Sequence, residues 1–169
     1  MSKAFTREDD LDDPGPPRRL PSPLPPGAKN YVTPEGAKRL KVELDRLVDV
    51  ERPQAATASD HGTSERVQAL DERIHQLRRS LESAVVVNPP TGKEDRVRFG
   101  ATVTVRTEPE GEERRYRIVG VDETDIERGW VSWVSPIAKA LLTARLGDRV
   151  QVRLPSGEKE LEIVGIACE

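Results

Sequence analysis

The chain has 169 residues, of which 35% are hydrophobic and 4% aromatic; these fractions are low for one well-filled core, so we expect part of the chain to be elongated or disordered. Charged residues make up 34% of the sequence but the net charge is only −3, and this interleaving of acids and bases excludes a strong bulk attraction to nucleic acid or membranes. The single cysteine, Cys168, excludes an intrachain disulfide and a multi-cysteine metal site, and no run approaches the ~20 apolar residues of a membrane span, so we expect a protein of the reducing cytoplasm.

Residues 1–29 form the first predicted segment, an acidic and proline-rich tail. Acids cluster between residues 8 and 13, and prolines recur from Pro14 to Pro26. Such a segment cannot bury enough apolar surface to offset its conformational entropy, so we expect disorder with some polyproline character. A short proline-rich ligand for a partner protein is the alternative.

Residues 30–88 are predicted to form an antiparallel α-helical hairpin. Its first arm begins at residues 33–35, where threonine can cap the helix, proline suits the first turn and glutamate meets the positive end of the helix dipole. Apolar residues then follow at spacings of three and four, as on one buried helix face: Ala37, Leu40, Leu44 and Leu47. Pro53 lies inside this arm and predicts a kink or break with helix on both sides.

The second arm has the more regular apolar stripe, at alternating spacings of three and four: Val67, Leu70, Ile74, Leu77, Leu81 and Ala84. This is the seam that a two-stranded coiled coil needs. Because neither arm is stable alone in water, the two stripes are expected to pack against each other. The turn between them contains Gly62, which is free to take positive φ, and Thr63 or Ser64 is predicted to cap the second arm.

Residues 89–169 are predicted to form a β-rich domain, which makes the fold class α+β. Patterns of period two predict strands at 97–99, 101–107, 115–120 and 130–133, and a closing hairpin of strands at 150–154 and 159–164. Ser135 and Pro136 predict the start of one short helix. The expected product is a twisted antiparallel sheet with this helix across it, and Trp130 and Trp133 on opposite faces.

Several collinear motifs resemble the Gre transcript-cleavage factors of bacterial RNA polymerase, with the GreB-like branch most similar. They are residues 31–44 (YVTPEGAKRLKVEL), 51–53 (ERP), 69–74 (ALDERI), 116–120 (YRIVG), 135–142 (SPIAKALL) and 147–148 (GD). The resemblance implies a transcription elongation factor whose coiled coil points down the polymerase secondary channel. It also implies an FKBP-like carboxy-terminal domain that docks on the channel rim.

The resemblance assigns polymerase binding to the start of the short helix, at Ser135, Pro136, Ile137 and Lys139. Val134 stands where an acidic residue is common in the family. The implied partners are core RNA polymerase and the 3′ end of the nascent RNA. We expect a monomer with no cofactor or metal site of its own, and Mg²⁺ enters only as the ion of the polymerase active centre, if the tip reaches it.

The tip of the hairpin departs from the family pattern, which is an Asp-x-x-Glu pair that helps the polymerase hold magnesium and activate water. Here the arms look shortened by about one to two helical turns, or roughly 5 to 10 Å. Asp60 and Glu65 are the candidate catalytic acids, but they lie five residues apart across Gly62. We favour the alternative that they are a turn aspartate and a first-turn glutamate. His61 is a candidate proton shuttle or a solvated turn residue.

Arg66 and Arg73 are candidate RNA contacts, because phosphates are bound mainly by Arg and Lys. With Arg78 and Arg79 they would form a basic strip along the second arm. The alternative is that they form the solvated face of a coiled coil, and interspersed glutamates favour this.

The leading functional hypothesis is a non-enzymatic regulator that modulates elongation and transcript cleavage in backtracked complexes. A channel-occupying competitor of Gre factors without cleavage activity is the first alternative. A peptidyl-prolyl isomerase would need an aromatic-lined pocket, for which the carboxy-terminal domain has only four aromatic residues: Phe99, Tyr116, Trp130 and Trp133. A coiled-coil module that binds another protein is the remaining class.

Overall fold

A computed structural model describes residues 24–58, 62–92 and 95–168, and the predicted tail therefore lies mostly outside the described residues. The fold has a helical part followed by a mixed β-sheet, which confirms the α+β class at this level. No helix in the described ranges is long and apolar enough to cross a membrane. In chain order the elements are β1 (Asn30–Val32), α1 (Pro34–Arg46), α2 (Arg52–Thr57), α3 (Thr63–Ser83), β2 (Ala84–Val86), β3 (Thr102–Glu108), β4 (Glu113–Val119), β5 (Trp130–Ser132), α4 (Pro136–Leu141), β6 (Arg149–Leu154) and β7 (Gly157–Ala167).

Helix α1 starts as the sequence predicts. The Thr33 hydroxyl accepts a hydrogen bond from the Gly36 N–H at 2.9 Å, and Pro34 occupies the first turn. A threonine N-cap stabilises a helix by about 1 kcal/mol, because it satisfies an amide that would otherwise lack a partner.

After α1, the first arm continues through a short π-helical segment, Leu47–Glu51, into α2, which contains Pro53. The Arg52 N–H donates to the Leu47 carbonyl, five residues back. Proline cannot donate a backbone hydrogen bond, and the wider turn before it lets Pro53 begin α2 in the first-turn position, where no donor is needed. Helix on both sides of Pro53 is thus confirmed.

The start and end of α3 differ from the prediction. Gly62, with φ of 101°, is the residue before the first turn, and no side chain caps the helix there. Thr63 lies inside the helix and its hydroxyl donates to the Ala58 carbonyl at 2.9 Å, so the predicted capping by Thr63 or Ser64 is wrong. At the other end α3 stops at Ser83, and Ala84, which we assigned to the helical stripe, begins β2.

Helix α1 and the π-helical segment after it pack against α3 in antiparallel orientation. Their buried contact consists of Leu40, Leu47, Ile74 and Leu77, with four flanking residues half-buried around it: Leu44, Val48, Leu70 and Leu81. At the base of the two helices, β1 pairs in parallel with β2. Tyr31 of β1 packs its ring against Phe99 and Trp133 of the sheet domain, at centroid distances of 6.0 and 5.3 Å.

The main sheet has five strands in the order β5-β4-β3-β7-β6. The predicted hairpin of β6 and β7 is antiparallel as expected. The predicted all-antiparallel sheet is wrong, because β5 pairs in parallel with β4 after the chain crosses back through residues 120–129. Helix α4 packs on the sheet, and the core between them contains Ile118, Leu141 and Ile163, each fully buried.

The predicted strand at 97–99 is also wrong. Val97 is buried, but its segment pairs with the loop after α4: the Val97 N–H donates to the Ala144 carbonyl at 2.8 Å and the Val97 carbonyl accepts from the Thr143 N–H at 2.9 Å. Gly100, with φ of 85°, then turns the chain sharply into β3. The alternation of apolar residues here reflects burial of an irregular segment rather than a strand.

Candidate functional site

The start of α4 carries the four residues predicted to dock on a partner. Ser135 caps the helix, since its hydroxyl accepts from the Ala138 N–H at 3.2 Å. Pro136 and Lys139 are exposed. Ile137 is 8% exposed and packs into the sheet core. The loop therefore presents Pro136 and Lys139 outward, while Ser135 and Ile137 hold the helix in place.

The candidate acids at the tip lie on either side of Gly62. Asp60 and His61 fall outside the described residues. Glu65 is exposed in the first turn of α3, where a negative charge is favoured by the helix dipole. Gly62 takes positive φ directly before α3, so the helix that carries Glu65 begins only after Gly62.

The two candidate RNA contacts differ in their surroundings. Arg73 donates through Nε and Nη2 to the Glu43 carboxyl, at 2.9 and 2.7 Å, and through Nη1 to Gln76 at 3.2 Å. Arg66 is exposed and lines a groove of about 830 Å³ along one side of the helical part. Arg73 thus links the two arms, whereas Arg66 remains open to a ligand in the groove.

The side chains that line the groove have a net positive charge. Two acids, Glu43 and Glu51, line it, and they pair with Arg73 and Arg46 respectively. Three further basic side chains line the groove and form no ion pair with an acid of the described residues: Lys38, Arg39 and Arg66. Guanidinium and ammonium groups in this arrangement are suited to phosphate contact.

A second ion pair joins the arms closer to the tip. Arg52 donates through Nε and Nη2 to the two carboxyl oxygens of Asp71, at 2.5 and 3.2 Å. This hydrogen bonding lowers the pKa of Asp71 and raises that of Arg52. Both side chains are almost half exposed, so the pair contributes little to stability.

The two tryptophans have separate environments. Trp133 packs against the sheet core and Tyr31, whereas Trp130 lies on the surface under three guanidinium groups. These belong to Arg39, Arg117 and Arg128, with their central carbons 4.5, 5.1 and 5.4 Å from the Trp130 ring centroid. The cavity beside Trp130 is lined mainly by arginine, which does not fit the aromatic pocket expected of a prolyl isomerase.

At the base of the helices, Asp122 and Glu123 make contacts that the sequence did not predict. The short 3₁₀ turn Val121–Glu123 contacts both α1 and α3. Its acids resemble the many surface acids of this chain, so no local pattern distinguishes them.

Comparison with known proteins identifies relatives for almost the whole described chain. Residues 91–167 match the family described as "Transcription elongation factor, GreA/GreB, C-term". The chain is 40% identical over 153 aligned positions to the transcription elongation factor GreB of Neisseria meningitidis serogroup B, which covers 82% of this chain and 93% of the relative. It is also 40% identical over 152 positions to the transcription elongation factor GreA of Pelobacter propionicus, with coverage of 82% and 96%.

Among solved structures, the chain is similar to a prokaryotic transcription elongation factor GreA/GreB from Nitrosomonas europaea, at 24% identity, with 83% of this chain and 98% of that chain covered and a TM-score of 0.41. The alignment with the Neisseria protein has 153 positions, which is more than the number of residues in the aligned 82% of this 169-residue chain. The relative therefore contains positions that have no counterpart here. Because 40% identity extends over nearly the full length of the Neisseria and Pelobacter proteins, the chain belongs to the GreA/GreB family of transcription elongation factors.

Proposed function

We propose that the protein is an elongation factor that binds core RNA polymerase through its secondary channel and modulates elongation and transcript cleavage in backtracked complexes. The observation that carries this proposal is its 40% identity over 93% of a relative named transcription elongation factor GreB. It would act as a monomer in the bacterial cytoplasm, without catalytic groups sufficient for a reaction of its own.

In this proposal the sheet domain is an FKBP-like docking module on the channel rim. Pro136 and Lys139 supply the contact, since both are exposed at the start of α4. The Ser135 cap and buried Ile137 hold that helix start rigid, which reduces the entropy lost on binding.

The helices α1 to α3 act as a coiled-coil hairpin directed toward the active centre. Helix α3 has 21 residues, which corresponds to about 31 Å of reach. Arg66 lies near the tip end of the basic groove and is the better candidate for RNA contact, because Arg73 is already bonded to Glu43 and Gln76. The groove then follows the path of an RNA end extruded into the channel.

We propose further that channel occupancy outweighs stimulated cleavage. Carboxylates such as Glu65 are suitable ligands for the Mg²⁺ that the polymerase holds, and Asp60 would be its only acidic neighbour within the tip turn. A misplacement of about 1 Å can cost about a hundredfold in rate. Two acids on either side of a glycine turn have no shared helix to fix their separation, so they are poorly suited to that geometry.

A cleavage assay on backtracked elongation complexes tests this proposal. The wild type is expected to bind, to release 3′ RNA fragments slowly, and to compete with a full-length Gre factor. The double variant Asp60→Ala, Glu65→Ala should compete equally well. Cleavage as fast as that of a full-length Gre factor, abolished in the double variant, would show that the tip does reach the metal.

The docking surface is tested separately by affinity for core polymerase. Pro136→Ala combined with Lys139→Ala is expected to weaken binding, because it removes the two exposed contacts and leaves the Ser135 cap intact. The control is Pro155→Ala with Lys159→Ala, a proline and a lysine outside α4: Pro155 is exposed in the turn between β6 and β7, and Lys159 is half-buried in β7. Equal affinity of both variants and the wild type would contradict the assignment.

A further inference from the structure

The 3₁₀ turn Val121–Glu123 is the place where the sheet domain holds the helical hairpin. It follows β4 directly, so its position is fixed by the central strands of the sheet. Two adjacent residues of this turn bind different arms: Glu123 binds the start of α1 and Asp122 binds the end of α3.

Glu123 is 3% exposed and its carboxyl group is almost fully hydrogen-bonded. Its Oε2 accepts from the backbone N–H of Thr33 at 2.9 Å and from that of Gly120 at 2.8 Å. Its Oε1 accepts from the Thr33 hydroxyl, which itself accepts from the Gly36 N–H. Within the described chain no basic side chain pairs with Glu123, so backbone amides and the positive end of α1 compensate its burial.

Two glycines, Gly36 and Gly120, approach this carboxyl closely. A Cβ atom at Gly36 would lie 1.8 Å from Oε1 of Glu123. A Cβ atom at Gly120 would lie 2.7 Å from Oε2 and 2.4 Å from the Tyr31 carbonyl oxygen. Both positions therefore require glycine so that α1 can approach the turn at this distance.

The end of α3 is bound to the same 3₁₀ turn. The Ser80 hydroxyl donates to the Asp122 carboxyl, and Asn30 Nδ2 donates to the Ser80 carbonyl at 3.1 Å and to the Ser83 hydroxyl at 3.2 Å. The last two turns of α3 are thereby tied both to the sheet domain and to the strand that precedes α1. Rotation of either arm about its base would break bonds in both sets.

We infer that Glu123, assisted by Asp122, is a positioning residue that sets the direction in which the hairpin leaves the sheet domain. The inference rests on the proposed function, in which the sheet domain docks and the hairpin enters the channel toward the active centre. With α3 about 31 Å long, a tilt of only about 2° at its base moves the tip by about 1 Å, which is a displacement large enough to change a rate about a hundredfold.

The orientation can be measured in the free protein by pulsed electron spin resonance between two labels. One label is placed at exposed Ala56 near the tip and one at exposed Ser156 in the β6–β7 turn, both as cysteines in a Cys168→Ser background. Glu123→Ala is expected to broaden and shift the distance distribution beyond the width of the wild-type peak. Glu123→Gln, which can still accept both backbone N–H bonds, should restore most of the narrow distribution.

Glu127→Ala is the matched control, because Glu127 is an exposed glutamate in the same connection after β4. Thr33→Val keeps the backbone bond to Glu123 and removes the hydroxyl link together with the α1 cap, and it tests the inference even if Glu123→Ala fails to fold. Tryptophan fluorescence verifies that the sheet domain of each variant is intact. A narrow, unshifted distribution in both Glu123→Ala and Thr33→Val would overturn the inference.

The functional consequence is measured with core polymerase. Glu123→Ala is expected to keep wild-type affinity and to stimulate the release of 3′ RNA fragments from backtracked complexes up to about a hundredfold more slowly than the wild type. Glu123→Gln should recover the wild-type rate. An unchanged effect at unchanged affinity would overturn the positioning role. If the wild type itself does not bind polymerase, the proposed function fails, and the spin-label distances still decide whether Glu123 sets the orientation.

Discussion

Truncation of Ile74 to alanine is the most direct test of the packing between the two arms. Ile74 is 5% exposed and contacts Leu40, Leu47 and Leu77 in one buried cluster. The change removes three carbon groups, at about 0.8 kcal/mol each for burial, or about 2.4 kcal/mol. The cavity left in a two-helix interface adds to this, so the expected loss lies at about 2 to 5 kcal/mol.

The assay is urea unfolding followed by circular dichroism at 222 nm, which reports the helices. With an m value of about 2 kcal/mol/M, the midpoint of Ile74→Ala should fall by about 1 to 2.5 M. Tryptophan fluorescence in the same samples reports the sheet domain, since Trp130 and Trp133 both lie there, and should change less. Val42→Ala is the control: Val42 lies on the same arm as Leu40 but is 66% exposed, and its truncation should cost less than about 0.5 kcal/mol.

Equal midpoints for Ile74→Ala and Val42→Ala would refute the reasoning. Such a result would mean that the apolar stripes of the two arms do not contact each other in solution, and that burial at this seam contributes nothing to the stability of the helices.

Three further changes have defined outcomes. Gly36→Ala should lower the free energy of unfolding by about 1 to 3 kcal/mol, because its Cβ would meet the Glu123 carboxyl; stabilisation, as at an ordinary helix position, would contradict the close approach. The Asp71 carboxyl should titrate, by NMR, at a lower pH than in Arg52→Ala, since Arg52 lowers its pKa; the small stability from this pair is present above the unfolded-state pKa and is lost as the pH falls through the folded-state value. Ser135→Ala should cost about 0.5 to 2 kcal/mol through loss of the α4 cap, and a change within error would mean that solvent replaces that bond.

The features predicted correctly from the sequence are those determined over a few residues. Thr33 and Ser135 cap their helices as predicted, because a capping hydroxyl reaches only the amide three residues on. The apolar stripe of α3 likewise identifies Ile74 and Leu77 as buried. In each case the partner is close in sequence or the periodicity repeats often enough to be unambiguous.

The features that were missed depend on distant parts of the chain. The parallel pairing of β5 with β4 depends on how residues 120–129 cross over the sheet, and the ion pair of Arg73 with Glu43 joins residues 30 apart. The sequence does not distinguish Glu123 from the surface acids, because Glu123 is buried by the start of α1, which is 90 residues away in the chain. Of the candidate site, the sequence located the α4 loop but could not separate exposed Pro136 from buried Ile137.

The π-helical segment before Pro53 also explains how the first arm keeps one face toward α3 along its whole length. Leu47 and Ala55 are both buried, eight residues apart, whereas two turns of an ideal α-helix take up about 7.2 residues and would leave Ala55 rotated by about 80° from Leu47. A single π turn closes over one more residue and absorbs that surplus. The arm is therefore equivalent to a continuous α-helix that has accepted a one-residue insertion. The same extra residue places Pro53 where no backbone N–H donor is required. The first arm therefore contains a proline and still keeps the same face toward α3.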